Sequence, residues 1–229
     1  MLSSFKKALE LNGGGMRKLE AVVFDCDGVI LESADLKSEA FRRIGGLFGS
    51  EIQTRFYEYH LQHTGVSRYD KFAWLYRTEL GREIEADESQ KLGDLFAGYC
   101  LEAVRAAPLT PGFEDALAWF KRQGIPLFVA SGTPQAELEA TLDERGLTNN
   151  FQMILGTPPI KSLLLTKIIT EGGFNPEMVL MVGDGETDLR AAQDNGTLFF
   201  GRGAGFQNRG LPWSVDLAGL PIWAENFFN

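Results

Sequence analysis

The run Val22-Val23-Phe24-Asp25-Cys26-Asp27-Gly28-Val29-Ile30 constrains this chain more than any other stretch. An unbroken apolar run of this kind reads as a strand buried on both faces of a parallel sheet. Here it stops at two carboxylates, two positions apart, with a glycine behind them. Ligands of open α/β sheets gather beyond the carboxyl ends of the strands, so aspartates at this point stand where chemistry is done. The plainer reading is a turn, because Asp and Gly both favour turns. Taken alone, the segment supports either.

The rest of the chain weakens the turn reading. Between Ser33 and about Arg105 the strand signal disappears and helical spacing takes over: Leu36, Ala40, Phe41, Ile44, Leu47 and Phe48, then Tyr69, Phe72, Ala73, Tyr76 and Leu80, then Leu92, Leu95, Phe96 and Tyr99. Ser67 is placed to cap the second of these helices, with Asp70 three residues on. After Pro108 and Pro111 helices and apolar runs alternate. A helix around Phe113–Gln123 leads into Ile125–Ala130, which ends at Ser131-Gly132-Thr133. A helix over Gln135–Arg145 stops at Gly146, followed by a short strand at Phe151–Leu155 and a helix at Ser162–Thr170. The strand Met178–Val182 runs into Gly183-Asp184-Gly185-Glu186-Thr187-Asp188, and Leu198–Phe200 is the last strand expected. Such alternation implies parallel crossovers. The fold expected is α/β: a doubly wound parallel-sheet core of the Rossmann-like kind, over residues 20–32 and 106–229, with a helical-bundle cap inserted at 33–105. Residues 1–19 read as a peripheral extension with a short helix-like stretch before Gly13-Gly14-Gly15.

Composition narrows the function classes. A formal charge of −9, from 22 basic and 31 acidic residues, argues against a nucleic-acid surface, which needs clustered cations. No apolar run approaches the ~20 residues of a membrane span, and the N-terminus lacks the apolar stretch of a secretory signal. Cys26 and Cys100 suggest no disulfide framework. The expectation is a cytoplasmic protein acting on a small molecule, without membrane, nucleic acid or an obligate protein partner.

Three of the expected strands end in Asp25 and Asp27, in Ser131, and in Asp184 and Asp188. In a parallel sheet those ends share one edge. Four carboxylates gathered without compensation would repel and partly protonate. A hard cation resolves the conflict, and Mg²⁺ favours such oxygen ligands. Lys161, just before a helix, adds a positive charge. Together with Ser131 and the amides around Gly28 and Gly132, these groups would hold an anionic substrate. That set suits phosphoryl transfer, where positioning and charge neutralisation dominate.

With those residues in place, the sequence resembles the haloacid dehalogenase superfamily. Asp25-Cys26-Asp27-Gly28-Val29, Ser131, Lys161 and Gly183-Asp184…Asp188 match its four motifs in order, across roughly Ala21 to Gly201. The resemblance implies Asp25 as a nucleophile forming an aspartyl phosphate and Asp27 as the acid/base. It implies Mg²⁺ bound by Asp25, the Asp27 carbonyl and Asp184, with Asp188 binding through water or orienting Lys161. Ser131 would hold a phosphoryl oxygen. Dehalogenases and phosphonate-cleaving members lack an aspartate two residues after the nucleophile, so Asp27 points to a phosphatase or a phosphomutase.

Gly65-Val66-Ser67-Arg68 resembles the cap loop of β-phosphoglucomutases, where the arginine grips a second phosphate. The competing reading of Arg68 is a solvated surface residue. Lys37 stands where those mutases carry a histidine, which favours a phosphatase, with Arg68 and either Lys37 or Lys71 reading an anionic group on the substrate. Other readings are a phosphomutase and a non-catalytic binding protein on the same fold. Pro108, Pro111 and the chain after Glu32 would serve as hinges for cap closure. Cys26 is no cysteine-phosphatase nucleophile, since Glu32 stands where an arginine is required. His60 and His63 lack partners at zinc-ligand spacing. Gly201-Arg202-Gly203-Ala204-Gly205 reads as a loop near the active-site edge. Trp213, Trp223, Phe227 and Phe228 read as packing for the C-terminal tail.

Overall fold

The central strand β1 (Ala21–Phe24) is inaccessible at all four positions, as its unbroken apolar sequence requires. Val22 and Phe24 face one helical layer, and Ala21 and Val23 face the other. The computed structural model describes residues 18–63 and 65–228, with side chains excepted at 101–103, 105, 227 and 228; the stretch 1–15 read as helix-like lies outside them.

Around β1 run β2 (Leu127–Pro134), β3 (Met153–Thr157), β4 (Val179–Gly183), β5 (Leu198–Arg202) and β6 (Trp213–Ser214). The order is β3-β2-β1-β4-β5-β6, and every pairing is parallel. The chain winds outward from β1 in both directions, so the strand order reverses there. A crevice at the carboxyl ends beside β1 follows from that topology.

Helices α5 (Phe113–Arg122), α6 (Gln135–Glu144) and α9 (Leu220–Phe228) flank the sheet with α7 (Lys161–Gly172) and α8 (Glu186–Asn195). Phe113, Phe120 and Leu138 pack on the Val22/Phe24 side, whereas Leu165, Ile168 and Leu189 pack on the Ala21/Val23 side. Phe24 meets Phe113 edge-on, with ring centroids 5.8 Å apart, a favoured aromatic geometry.

Between β1 and α5 the chain forms α1 (Ala34–Gly46), α2 (Ser50–Gln62), α3 (Arg68–Glu79) and α4 (Ala86–Ala106). Phe41, Phe56, Phe72 and Phe96 form their shared core. The two connections to the sheet run side by side: Leu31 bridges Leu109, and the Glu32 N–H donates to the Pro108 carbonyl at 2.9 Å.

Several local expectations are corrected. The helical block contains α2, which the apolar spacing did not reveal. Ser67 stands at the start of α3 but makes no side-chain cap bond. Leu198–Phe200 is not the last strand, because β6 adds a two-residue edge. The glycine-rich segment is not wholly loop: Gly201 and Arg202 complete β5, and Ala204–Phe206 forms a 3₁₀ turn. Trp223 packs against Phe200, at 5.4 Å between centroids, as expected of a tail anchor; the side chains of Phe227 and Phe228 lie outside the described ones.

Candidate active site

The end of β1 turns back on itself within one loop. The Cys26 carbonyl accepts from the N–H groups of Ile30 and Leu31 at 2.9 and 3.0 Å, and the Gly28 N–H donates to the Leu31 carbonyl at 2.7 Å. Gly28 has φ +76°, a conformation that favours glycine. A Cβ there would lie 2.1 Å from Asp184 Oδ2. The Gly28 N–H is thus engaged within the loop, and the lack of a side chain at this position leaves room for Asp184.

Asp25 is buried, and its carboxylate receives the Cys26 N–H at 2.7 Å on one oxygen and Lys161 Nζ at 2.9 Å on the other. Lys161, at the first position of α7, also pairs with Asp188, whose second oxygen accepts the Gly185 N–H at 3.1 Å. Burial would lower the Lys161 ammonium, but Asp188 and Asp25 outweigh it and raise its pKa. Burial pushes the Asp25 carboxyl up, with Asp188 and Asp27 adding to the effect and Lys161 opposing it.

Oxygens of Asp25, Asp184 and Asp188 lie within 4.8 Å of one another. Asp184 receives no hydrogen bond from any described residue, and its carboxyl is pushed far up, first by burial and then by Asp25 and Asp188. Three crowded carboxylates, one of them without a protein donor, are an all-oxygen donor set suited to a hard divalent cation.

Asp27 points elsewhere. Its carboxylate accepts from Ser33 Oγ at 2.6 Å and Thr133 Oγ1 at 2.8 Å, and it pairs with Lys37. Burial alone would raise its pKa, yet Lys37 and these hydrogen bonds hold it below the usual carboxylate range. The four carboxylates thus divide into a cluster of three and a separately held fourth. In its ionised state Asp27 is ready to accept a proton; to deliver one it must first take one up.

Ser131 is buried, and its Oγ accepts the Thr133 N–H at 3.1 Å. Together with Gly132 it lines a small cavity of about 90 Å³ that also borders Asp25, Asp27 and Asp184. The helical cap supplies the other wall through Lys37, Arg68 and Lys71. Its loop reaches down onto the sheet: a Cβ on Gly132 would sit 2.5 Å from the Gly65 carbonyl oxygen, and one on Gly65 would sit 1.9 Å from Thr187 Oγ1. The Gly65 loop of the helical block therefore rests directly on the sheet edge.

The three cap cations have different surroundings. Arg68 is neither solvated nor open to an anion: its guanidinium makes a two-pronged pair with Glu137 of α6, at 3.0 and 2.5 Å, and covers the Phe96 ring at 4.5 Å. The pair engages both terminal nitrogens of its guanidinium in this structure. Lys37 is committed to Asp27. Lys71, 1% exposed, contacts His60 and pairs with no carboxylate among the described residues. Ser33, Thr133, Glu137 and His60 were not singled out for these contacts. Thr133 and Glu137 reach their partners across more than 60 residues, whereas Ser33 meets Asp27 within one loop and His60 meets Lys71 within the helical block.

Burial pushes the Cys26 thiol well up and the Cys100 thiol to about 11, consistent with packing residues. Among the described residues no helix is long and apolar enough to cross a membrane.

A doubly wound parallel sheet thus brings three carboxylates at the ends of β1 and β4 together with the lysine that opens α7, beneath the helical block. Residues 19–196 match the family model for haloacid dehalogenase-like hydrolase, and the chain belongs to that family and is one of its phosphatase-type enzymes. It is 28% identical over 211 residues to a phosphoglycolate phosphatase of Synechococcus elongatus, covering 90% of this chain and 92% of the relative. A phosphoglycolate phosphatase of Vibrio cholerae is 27% identical, over 86% of this chain and 89% of its own. The fold matches that of a β-phosphoglucomutase from Clostridium difficile, with a TM-score of 0.74 and 18% identity over 91% of this chain and 98% of that one.

Proposed function

We propose that this phosphatase hydrolyses a small phosphorylated metabolite in the cytoplasm through an aspartyl phosphate on Asp25, with Mg²⁺ as cofactor. The observation that carries the reading is the buried Asp25 carboxylate, paired with Lys161 and crowded by Asp184 and Asp188 at the mouth of the capped cavity. The relatives' names support a phosphorylated substrate of few carbons.

Asp25, the Asp27 carbonyl and Asp184 would hold Mg²⁺, which when bound supplies charge neutralisation for the phosphoryl oxygens. Lys161 adds a fixed positive charge, and Asp188 positions it. An oxygen of Asp25 attacks phosphorus and the ester P–O bond breaks; Asp27, having first taken up the acidic proton of the incoming phosphate monoester, passes it to the departing oxygen. Water then attacks the phosphorus of the aspartyl phosphate and gives its proton to Asp27, which frees phosphate and restores Asp25. Ser131 and the Gly132 backbone hold phosphoryl oxygens. Closure of the cap excludes bulk water before the first step.

The test is phosphate release from a panel of phosphorylated metabolites, with Mg²⁺ and with a chelator, using Asp25→Asn as the control. Release that needs Mg²⁺ and disappears in the variant is expected. Interconversion of sugar phosphates with little net release would replace the phosphatase by a phosphomutase. Binding without any turnover would replace both by a binding protein.

A further inference from the structure

Of the cations around the cavity, Lys161 is matched by Asp25 and Asp188, Lys37 by Asp27, and Arg68 by Glu137. Lys71 alone lacks a counter-charge among the described residues. It is nevertheless built in with care. Ser38 Oγ donates its only hydrogen to the Ala34 carbonyl at 2.9 Å, so toward His60 Nε2, 2.8 Å away, it must accept. That places the imidazole proton on Nε2 and leaves Nδ1 as the acceptor for Lys71 Nζ at 2.8 Å. The His60 ring stacks on Phe41 with centroids 4.3 Å apart, and Nζ stands 4.5 Å over the same Phe41 ring. Three residues on α1 and α2 thus hold the lysine head against one cavity wall, with donors to spare.

A buried ammonium without an anion is costly. Burial, with Lys37 nearby, lowers the Lys71 pKa to about 7. An anion entering the cavity would supply the missing partner and favour the charged form. The cavity, about 90 Å³, lies well below the ~300 Å³ at which pockets for drug-sized ligands begin. Bidentate recognition of a second phosphate favours an arginine, and Arg68 is already closed on Glu137, which leaves one ammonium as a point charge. A single lysine in a small space suits a carboxylate.

We propose that Lys71, oriented by the Ser38–His60 relay, receives a carboxylate of the substrate and selects small phosphorylated acids over uncharged phosphate esters. The inference rests on the phosphatase reading for its substrate, while its test needs no turnover. Isothermal titration of full-length Asp25→Asn protein with Mg²⁺ would compare phosphoglycolate, which carries the carboxylate, with ethyl phosphate, which lacks it. Phosphoglycolate is expected to bind at least about tenfold more tightly. Lys71→Met in the same background is expected to reduce that ratio to about twofold or less. His60→Gln, a milder change that disturbs only the positioning residue, is expected to give an intermediate ratio.

With Asp25 intact, Lys71→Met is expected to raise KM for phosphoglycolate far more than it lowers kcat. Equal affinity for the two esters in the parent protein, or a ratio that survives Lys71→Met, would overturn the assignment. So would a small bisphosphate that binds more tightly than phosphoglycolate. If the titration shows the preference while wild-type protein releases phosphate from neither ester, the phosphatase reading fails and the carboxylate subsite stands.

Discussion

Replacing Gly132 by alanine should strike the cap loop and leave the core nearly untouched. Gly132 does not have a positive φ, so alanine can adopt its backbone without strain. The three atoms nearest an added Cβ all belong to Gly65 of the cap loop: its carbonyl oxygen at 2.5 Å, its carbonyl carbon at 3.3 Å and its Cα at 3.8 Å. Ordinary contact begins near 3.4 Å, so the loop must retreat by about 0.9 Å. Overpacking of this kind costs about 1–3 kcal/mol, which corresponds to roughly 5- to 150-fold in an equilibrium. Opening the cap relieves the clash completely and exposes little of the sheet core. The cost should therefore fall on closure and not on global stability. The expected result is a 10- to 100-fold loss of kcat/KM with a nearly unchanged melting temperature, and solution scattering showing a larger radius of gyration than wild type. Kinetics within twofold of wild type would refute the reasoning. A clear loss of melting temperature with unchanged scattering would also refute it, because the clash would then be absorbed inside the core.

Two further outcomes follow from the same geometry. Gly28→Ala forces a left-handed residue, worth about 1–2 kcal/mol, and drives a methyl group into Asp184; a Mg²⁺ titration of activity should shift to much higher concentration while thermal stability falls by only that modest amount. Burial and the neighbouring Lys71 push His60 from 6.5 down to about 3, so the folded protein holds it neutral while the unfolded chain protonates it below pH 6.5. Its contribution to stability is present above pH 6.5 and declines as pH falls toward 3, by about 1.4 kcal/mol per pH unit within that window. Urea denaturation between pH 7 and 4 should show a shallower acid loss in His60→Gln than in wild type; parallel curves would contradict the assignment.

The sheet and its catalytic edge were legible because each rests on local pattern. Buried parallel strands write continuous apolar runs, and Asp25, Ser131, Lys161, Asp184 and Asp188 stand at the ends of those runs or the starts of helices. α2 is not legible because its sequence, SEIQTRFYEYHLQ, buries only Phe56 and His60 and so shows little apolar stripe. The two-residue β6 is too short to write any pattern. Ser67 carried the right residue for a cap at the right place, but the loop geometry leaves its hydroxyl unused for capping. The cap cations illustrate the deeper limit. Lys37, Arg68 and Lys71 were recognisable as candidates, yet their different surroundings depend on Asp27, Glu137 and His60. Those partners are 10, 69 and 11 positions away in sequence, and packing of the helical block on itself and against the sheet decides which cation meets which partner. Gly28 shows the reverse: a turn glycine was legible, but not that its amide would be taken by Leu31.

The most direct test of the central claim is to trap the covalent intermediate. Mg²⁺-loaded protein mixed with a hydrolysed substrate and quenched in acid within one turnover should yield a peptide containing Asp25 heavier by one phosphoryl group. The added mass should be removed by hydroxylamine, as an acyl phosphate requires, and should be absent in Asp25→Asn. Phosphate release at full rate with no such adduct on Asp25, or an adduct on another residue, would contradict the account.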